Sequence, residues 1–262
     1  MTENVKLHHG DCLEVMKTFD AEIIDLTVTS PPYDNLRTYE NSIDDWNFEK
    51  FKEIAKELFR ITKKGGVVVW VVGDATVKGS ETGTSFKQAL FFKEIGFNLH
   101  DTMIYQKINY PPLTHNRYEQ CFEYMFVFSK GKPKVFKPIM IETKNKGLVR
   151  SGTFYHKSSQ NTPTKANNNK SVNEFKIKQN IFDYAVGGKK DGHPAPFPEK
   201  LASDHIISWS NEGDTVFDPF LGSGTTGKMA VVNNRRFIGI ERVHTYFEIA
   251  EKRIKEAENK LF

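Results

Sequence analysis

The chain is short of cysteine. Its 262 residues contain two, Cys12 and Cys121, too few for a disulfide framework and without metal-site spacing, so a reducing cytoplasm is the expected compartment. Long apolar runs are also missing. No stretch is long enough to span a bilayer, and Met1-Thr2-Glu3-Asn4 does not lead into a signal-peptide core. No membrane partner is expected. A hydrophobic content of 38% and a mean hydropathy of −0.52 fit a soluble protein. Charge of one sign is scarce as well: a formal +4 and a pI of about 8.8 permit a polyanionic partner without arguing for one. The chain does have the length to bury a sizeable core as one domain, with room for an inserted region.

The most informative stretch is Val28-Thr29-Ser30-Pro31-Pro32-Tyr33. Ile23 to Thr29 is short, apolar and rich in β-branched residues, the pattern of a buried strand. It stops at two prolines, which fix φ near about −65° and remove two N–H donors. The carbonyls of Ser30 and Pro31 are then left pointing outward, with a small hydroxyl before them and the flat ring of Tyr33 after. Such a rigid cup of acceptors beside a stacking surface suits a planar group carrying an NH2.

A second segment has the opposite character. Thr215-Val216-Phe217 reads as a strand running into Asp218-Pro219-Phe220-Leu221-Gly222-Ser223-Gly224-Thr225-Thr226 and then a helix. The glycines let backbone approach a ligand, and free N–H groups at the helix start favour negative charge. A dinucleotide pyrophosphate competes for that role, but the third glycine of the dinucleotide fingerprint is missing. Phe237 to Glu241 is the next strand, and Glu241 stands where a ribose-binding acid is expected. Its alternative role is to cap the helix that follows.

Together these segments resemble motif IV and motif I of the amino-methyltransferases that modify DNA bases. The catalytic motif comes first and the cofactor motif last, as in that family's β group. The resemblance implies an α/β fold, a Rossmann-like methyltransferase sheet in circularly permuted order, with an inserted target-recognition region. It implies S-adenosyl-L-methionine (AdoMet) as cofactor and double-stranded DNA as partner. It leaves open a cognate restriction endonuclease and a homodimer. Ser30, Pro31, Pro32 and Tyr33 take the catalytic positions. Asp218, Pro219, Phe220, Gly222, Ser223, Gly224, Thr225 and Glu241 take cofactor-binding ones. Gly10-Asp11-Cys12 matches a family segment near the adenine ring, so Asp11 and Cys12 join that set; Asp11 also suits a helix cap. His193-Pro194-Ala195-Pro196-Phe197-Pro198-Glu199-Lys200 resembles motif X, a His-Pro segment opening a helix that flanks the methionine end of the cofactor, and brings in Phe197. In the family, Thr-Ser-Pro-Pro-Tyr is typical of cytosine-N4 enzymes and Asp-Pro-Pro-Tyr of adenine-N6 enzymes. Thr29-Ser30 points to cytosine N4, with adenine N6 as the alternative and an RNA or protein-amide substrate more remote. The Pro-Cys context of cytosine-C5 enzymes is absent.

The remaining chain divides at composition changes. Residues 1–130 are expected to form the catalytic half and 193–262 the AdoMet-binding half of one domain. Residues 131–192 are rich in Lys, Asn and Ser and read either as a disordered insert or as a target-recognition region ordered by DNA. Within the first half, helices are expected over 48–64, with Phe51, Ile54, Ala55, Leu58 and Phe59 inward, and over 85–96, with Phe86, Ala89, Leu90 and Phe91 inward. A buried strand is expected over 67–72. Asp74 after it either lines the pocket or serves the turn. Residues 34–45 read as a loop in which Arg37 meets a phosphate or is simply solvated. Lys107 and Glu119, in a loose likeness of motif VIII, are given no catalytic role, and His193 has no partner at metal spacing.

Overall fold

The computed structural model describes residues 3–32, 46–110, 117–148, 171–186 and 198–260, with the backbone alone of 153–157 and 163–167. In chain order the elements are β1 (Val5–His9), α1 (Cys12–Lys17), β2 (Ile24–Thr29), α2 (Phe48–Ile61), β3 (Thr62–Val72), β4 (Thr76–Val77), β5 (Ser80–Glu81), α3 (Thr84–Glu94), β6 (Asn98–Lys107), β7 (Phe122–Ser129), β8 (Met140–Glu142), β9 (Thr153–Lys157), β10 (Pro163–Asn167), β11 (Phe175–Ile177), β12 (Ile181–Tyr184), α4 (Glu199–Trp209), β13 (Thr215–Asp218), α5 (Thr225–Val232), β14 (Arg236–Glu241) and α6 (His244–Asn259).

Eight strands form one sheet in the order β1-β14-β13-β2-β3-β7-β6-β12. β7 runs against both its neighbours and every other pairing is parallel. From β13 the chain winds through α5 to β14 on one side. From β2 it winds through α2 to β3 on the other. The winding direction therefore reverses between β13 and β2, and ligands of such sheets collect beyond the carboxyl ends of the strands at that point. This is the permuted methyltransferase order expected from the sequence. The pair at the reversal, β13 and β2, joins segments that lie 189 residues apart at the Thr29–Asp218 contact.

The sheet is buried on both faces. Leu26, Val28, Val68, Val69, Trp70 and Val71 have no exposed surface, as β-branched parallel strands between helical layers require. α1, α2 and α3 cover one face through Met16, Phe51, Ile54, Leu58 and Phe92, all fully buried. α5 packs on α4 and α6, where Leu201, Ala202, Ile206, Ala230, Ala250 and Ile254 are likewise buried.

Two expectations need correcting. α2 stops at Ile61 rather than running to Lys64, and β3 begins at Thr62. Thr62 is extended and returns its N–H to Leu58 O, Gly65 adopts a positive φ of 80°, and a register shift between Ile24 and Leu26 absorbs the extra residues. In α3 the inward face is Ser85, Gln88, Ala89, Phe91 and Phe92, while Phe86 and Leu90 are 49% and 65% exposed. The buried indole N–H of Trp70 donates to Gln88 Oε1 at 2.8 Å, and Phe92 packs edge-on to Trp70 with ring centroids 5.2 Å apart. A buried donor must be satisfied, and that requirement sets the helix face where apolar residues on both sides leave the choice open.

Residues 138–179 form a compact unit by themselves. Within it β8 pairs with β11 and β9 with β10, both antiparallel. Ile181–Tyr184, inside the stretch 131–192, belongs instead to the main sheet, parallel to β6. Among the described residues no helix is long and apolar enough to cross a membrane, and no group of three or more metal-ligating side chains is found.

Candidate active site

Register brings the two sequence motifs together. β13 and β2 pair as Val216↔Leu26 and Phe217↔Thr27, so the residues after their carboxyl ends, Pro219 and Ser30, emerge side by side. At the other end of the pair, Asp25 Oδ2 accepts from Thr215 N at 2.9 Å and from Lys63 Nζ at 2.7 Å, tying β2 to β13 and β3. At the carboxyl end Thr29 Oγ1 donates to Asp218 Oδ1 at 2.6 Å, and Thr226 Oγ1 donates to Val28 O at 3.1 Å. Ser30 and Pro32 are half-buried and Pro31 is buried.

Asp218 itself is almost wholly enclosed. Its Oδ1 also accepts from Phe220 N at 3.0 Å, which starts the turn into the glycine loop. Burial pushes its carboxyl up to about 7, against the donors Thr29 Oγ1 and Phe220 N–H, which favour the ionised form; Glu241 nearby adds to the rise. The folded chain then keeps a proton on this group up to about pH 7, whereas the unfolded chain releases it near 3.8. By linkage the group favours folding fully below the lower value, and that contribution is lost as pH rises through the window. Asp218→Asn cannot titrate. Its melting temperature relative to the native chain is expected to move in the variant's favour between pH 4 and pH 7.5, as thermal unfolding at each pH would read.

The loop after Asp218 has the conformation only glycine takes easily. Gly222 and Gly224 have φ of 52° and 80°. A Cβ on Gly224 would lie 2.9 Å from both Cα and Cβ of Ala250 on α6. α5 starts at Thr225 with its first N–H groups facing the loop. Ser223 is buried and held from behind: Arg253 Nη1 donates to its Oγ at 2.8 Å and its carbonyl at 2.6 Å. Arg253 Nη2 and Lys228 Nζ both reach Glu199 Oε1, at 3.1 and 2.6 Å. This docks the first residue of α4 against the helices that carry the loop.

Glu241 closes β14. Its Oε2 accepts from Gly222 N at 2.7 Å and its Oε1 from Val243 N at 2.8 Å, so it both caps the turn to α6 and faces the glycine loop. Burial raises its pKa. Alongside, Gly10 N donates to Glu241 O at 2.9 Å, which sets Asp11 next to it. Asp11 caps α1 through Leu13 N, 2.9 Å, and pairs with Lys50 Nζ at 2.9 Å. Of the roles weighed for it from sequence, the helix cap is the one these bonds make. Cys12 points into the apolar cluster, and burial pushes its thiol up to about 12. Phe220 lies edge-on to Trp46 and Trp70, with centroids 5.5 and 6.1 Å away.

Asp74 is taken up by its own turn: Ser85 N donates to Oδ1 at 2.9 Å, and the hydroxyls of Ser85 and Thr82 donate to the same carboxylate. Lys107 pairs with Glu123 at 2.7 Å. Tyr33, Arg37 and the rest of the 34–45 loop, His193 and Phe197 lie outside the described residues. Sequence reasoning missed Lys50 and Arg253, which lie in ordinary charged helix segments, and it quoted Glu199 in the motif X likeness without a role. It quoted Thr29 and Thr226 without giving either a structural role.

The donor set fits a nucleoside with an amino-acid tail. Glu241 would offer acceptors to ribose hydroxyls and the α5 start would offer N–H groups to a carboxylate, with Asp11, the cap of α1, and Ser30, just past β2, on the flanking segments. Comparisons with known proteins bear on the fold and the family. The "Orphan methyltransferase M.BamHII" of Bacillus amyloliquefaciens is 52% identical over 97% of this chain and 92% of its own. The "DNA adenine methyltransferase YhdJ" of Escherichia coli (strain K12) is 28% identical over 95% of this chain and 82% of its own. Among solved structures, a putative DNA modification methylase from Thermus thermophilus, TTHA0409, complexed with S-adenosyl-L-methionine, shares the fold with a TM-score of 0.64 at 24% identity, covering 97% of this chain and 95% of that one. Residues 24–252 match the N6_N4_Mtase family, described as DNA methylase. The chain belongs to that family and is an AdoMet-dependent DNA methyltransferase of the N4/N6 amino type.

Proposed function

We propose that this enzyme methylates the N4 amine of cytosine at a specific site in duplex DNA. The observation that carries the reading is the placement of Ser30-Pro31-Pro32 directly beside the strand that feeds the glycine loop. An exocyclic amine is a poor nucleophile because its lone pair is delocalised into the ring. Ser30 Oγ and the Pro31 carbonyl accept its two hydrogens and draw the nitrogen towards tetrahedral geometry. That interaction strengthens in the transition state, where it lowers the barrier. The cofactor, when bound, supplies an electrophilic methyl group on sulfonium sulfur. Duplex geometry hides the amine, so the base is flipped out and Tyr33 stacks on it. The compact unit at 138–179, with Lys144 and Lys176 exposed, is the proposed target-recognition region within 131–192. A cytoplasmic setting, a cognate restriction endonuclease and a second copy of the chain are the place and partners that go with this reading.

Cytosine is preferred because the cup starts with Thr29-Ser30 rather than an acid. Adenine N6 is the second reading, favoured by the Escherichia coli relative's name. Nucleoside mass spectrometry of DNA from cells expressing the chain is expected to show N4-methylcytosine, and long-read methylation mapping to give its sequence context. N6-methyladenine in its place would replace the base assignment. Methylated RNA with unmodified DNA would overturn the substrate class.

A further inference from the structure

The catalytic cup and the cofactor loop are joined by more than strand pairing. The last two residues of β2 make two hydrogen bonds to the loop segment: Thr29 Oγ1 to Asp218 Oδ1 at 2.6 Å, and Thr226 Oγ1 to Val28 O at 3.1 Å. Asp218 Oδ1 takes the N–H of Phe220 as well, at 3.0 Å. The segment 218–226 is therefore fastened to the end of β2 near both its ends. Thr29 and Asp218 are 0% and 1% exposed. Ser30 follows Thr29 directly.

Stability alone is a poor reason for this arrangement. Among the described residues no cation reaches the Asp218 carboxyl, and an enclosed carboxyl without one is costly. The two strands are already held by their ladder and, at the far end, by Asp25. An apolar pair at 29 and 218 would close the sheet more cheaply. What the bond adds is position, because Thr29 is one residue from the amine acceptor and Asp218 opens the loop that receives the cofactor. Methyl transfer in line needs the two sides set closely, and a misplacement of about 1 Å costs on the order of 10²-fold in rate.

We propose that Thr29 is a positioning residue for methyl transfer, whose hydroxyl sets the catalytic serine against the cofactor loop through Asp218. This rests on the reading of Ser30 as amine acceptor. The test uses the full chain, duplex oligonucleotides carrying the mapped site, and the variants Thr29→Val and Thr29→Ser. Valine keeps shape and burial and removes the donor; serine restores the donor. Thr29→Val is expected to lower kcat by about 10- to 100-fold, with the AdoMet dissociation constant, read by tryptophan fluorescence, unchanged within about threefold. Thr29→Ser is expected to recover most of the lost rate. Native kcat in the valine variant, a serine variant as slow as the valine one, or AdoMet affinity falling in step with kcat would each overturn the proposal. Should the valine chain fail to fold, Thr29→Ala beside Thr29→Ser provides the same contrast, since those two side chains differ only in the hydroxyl: a slower alanine variant supports the proposal, and equal rates overturn it. Ser30→Ala, assayed alongside, separates the two readings. Full activity in that variant removes the role of Ser30, whereas the valine–serine contrast at position 29 reports on the hydroxyl alone.

Discussion

Ser30→Ala is expected to lower the rate of methyl transfer to duplex DNA by about 10²–10³-fold, the usual cost of removing one acceptor or donor aimed at a transition state. AdoMet affinity is expected to stay within about twofold, because Ser30 belongs to the end of β2 and the cofactor loop to the turn after β13. The variant should fold normally: Ser30 is half-buried, lies beyond the last paired residue of β2, and alanine adds no bulk there. Transfer of labelled methyl from AdoMet, set beside a binding isotherm for the same preparation, gives both quantities. A loss of affinity equal to the loss of rate would place Ser30 in cofactor binding instead. Unchanged turnover would remove the acceptor role assigned to the cup.

The second large effect is expected at Gly224. Its φ of 80° costs an alanine about 1–2 kcal/mol. The added Cβ would also stand 2.9 Å from the backbone of Ala250. Backbone on a packed helix has nowhere to go, so either α6 or the loop must shift. Gly224→Ala is expected to lower the melting temperature by about 5 °C or more and to abolish measurable AdoMet binding. Gly131→Ala is the control. Its φ of 78° is equally left-handed, but nothing lies within 4 Å of the added atom, so the torsional cost alone should appear and AdoMet binding should survive. Equal losses in the two variants would mean that strain rather than the close approach of α6 decides the loop.

Much of the site was legible because its motifs are local. A β-branched run cut off by two prolines, or a strand followed by Gly-x-Gly and a helix, is specified within about ten residues by φ restriction and hydrogen-bond supply. The strand expected from Ile23 to Thr29 starts at Ile24, the one expected over Thr215 to Phe217 runs one residue further to Asp218, and Glu241 ends β14 as the pattern put it. Failures occurred where several local solutions were of similar quality. Phe86 and Leu90 are as apolar as Phe91 and Phe92, so α3 had two candidate inner faces, and a single indole N–H on β3 decided between them. Asp74 was open between pocket and turn until Ser85 and Thr82 were seen to occupy its oxygens. Arg253 carried no signal at all, since its task is to hold Ser223 from a helix 30 residues further on.

The sequence by itself determined most of the elements outside residues 131–192, the permuted motif order and the chemical character of the two half-sites, because each of these depends on neighbours along the chain. Only the tertiary structure decided that the half-sites meet. Pairing of β13 with β2, the Asp25 ties and the Thr29–Asp218 bond are contacts between residues about 190 positions apart. Their existence depends on which strand edges and buried polar groups find each other once the sheet is assembled, and no local pattern encodes that.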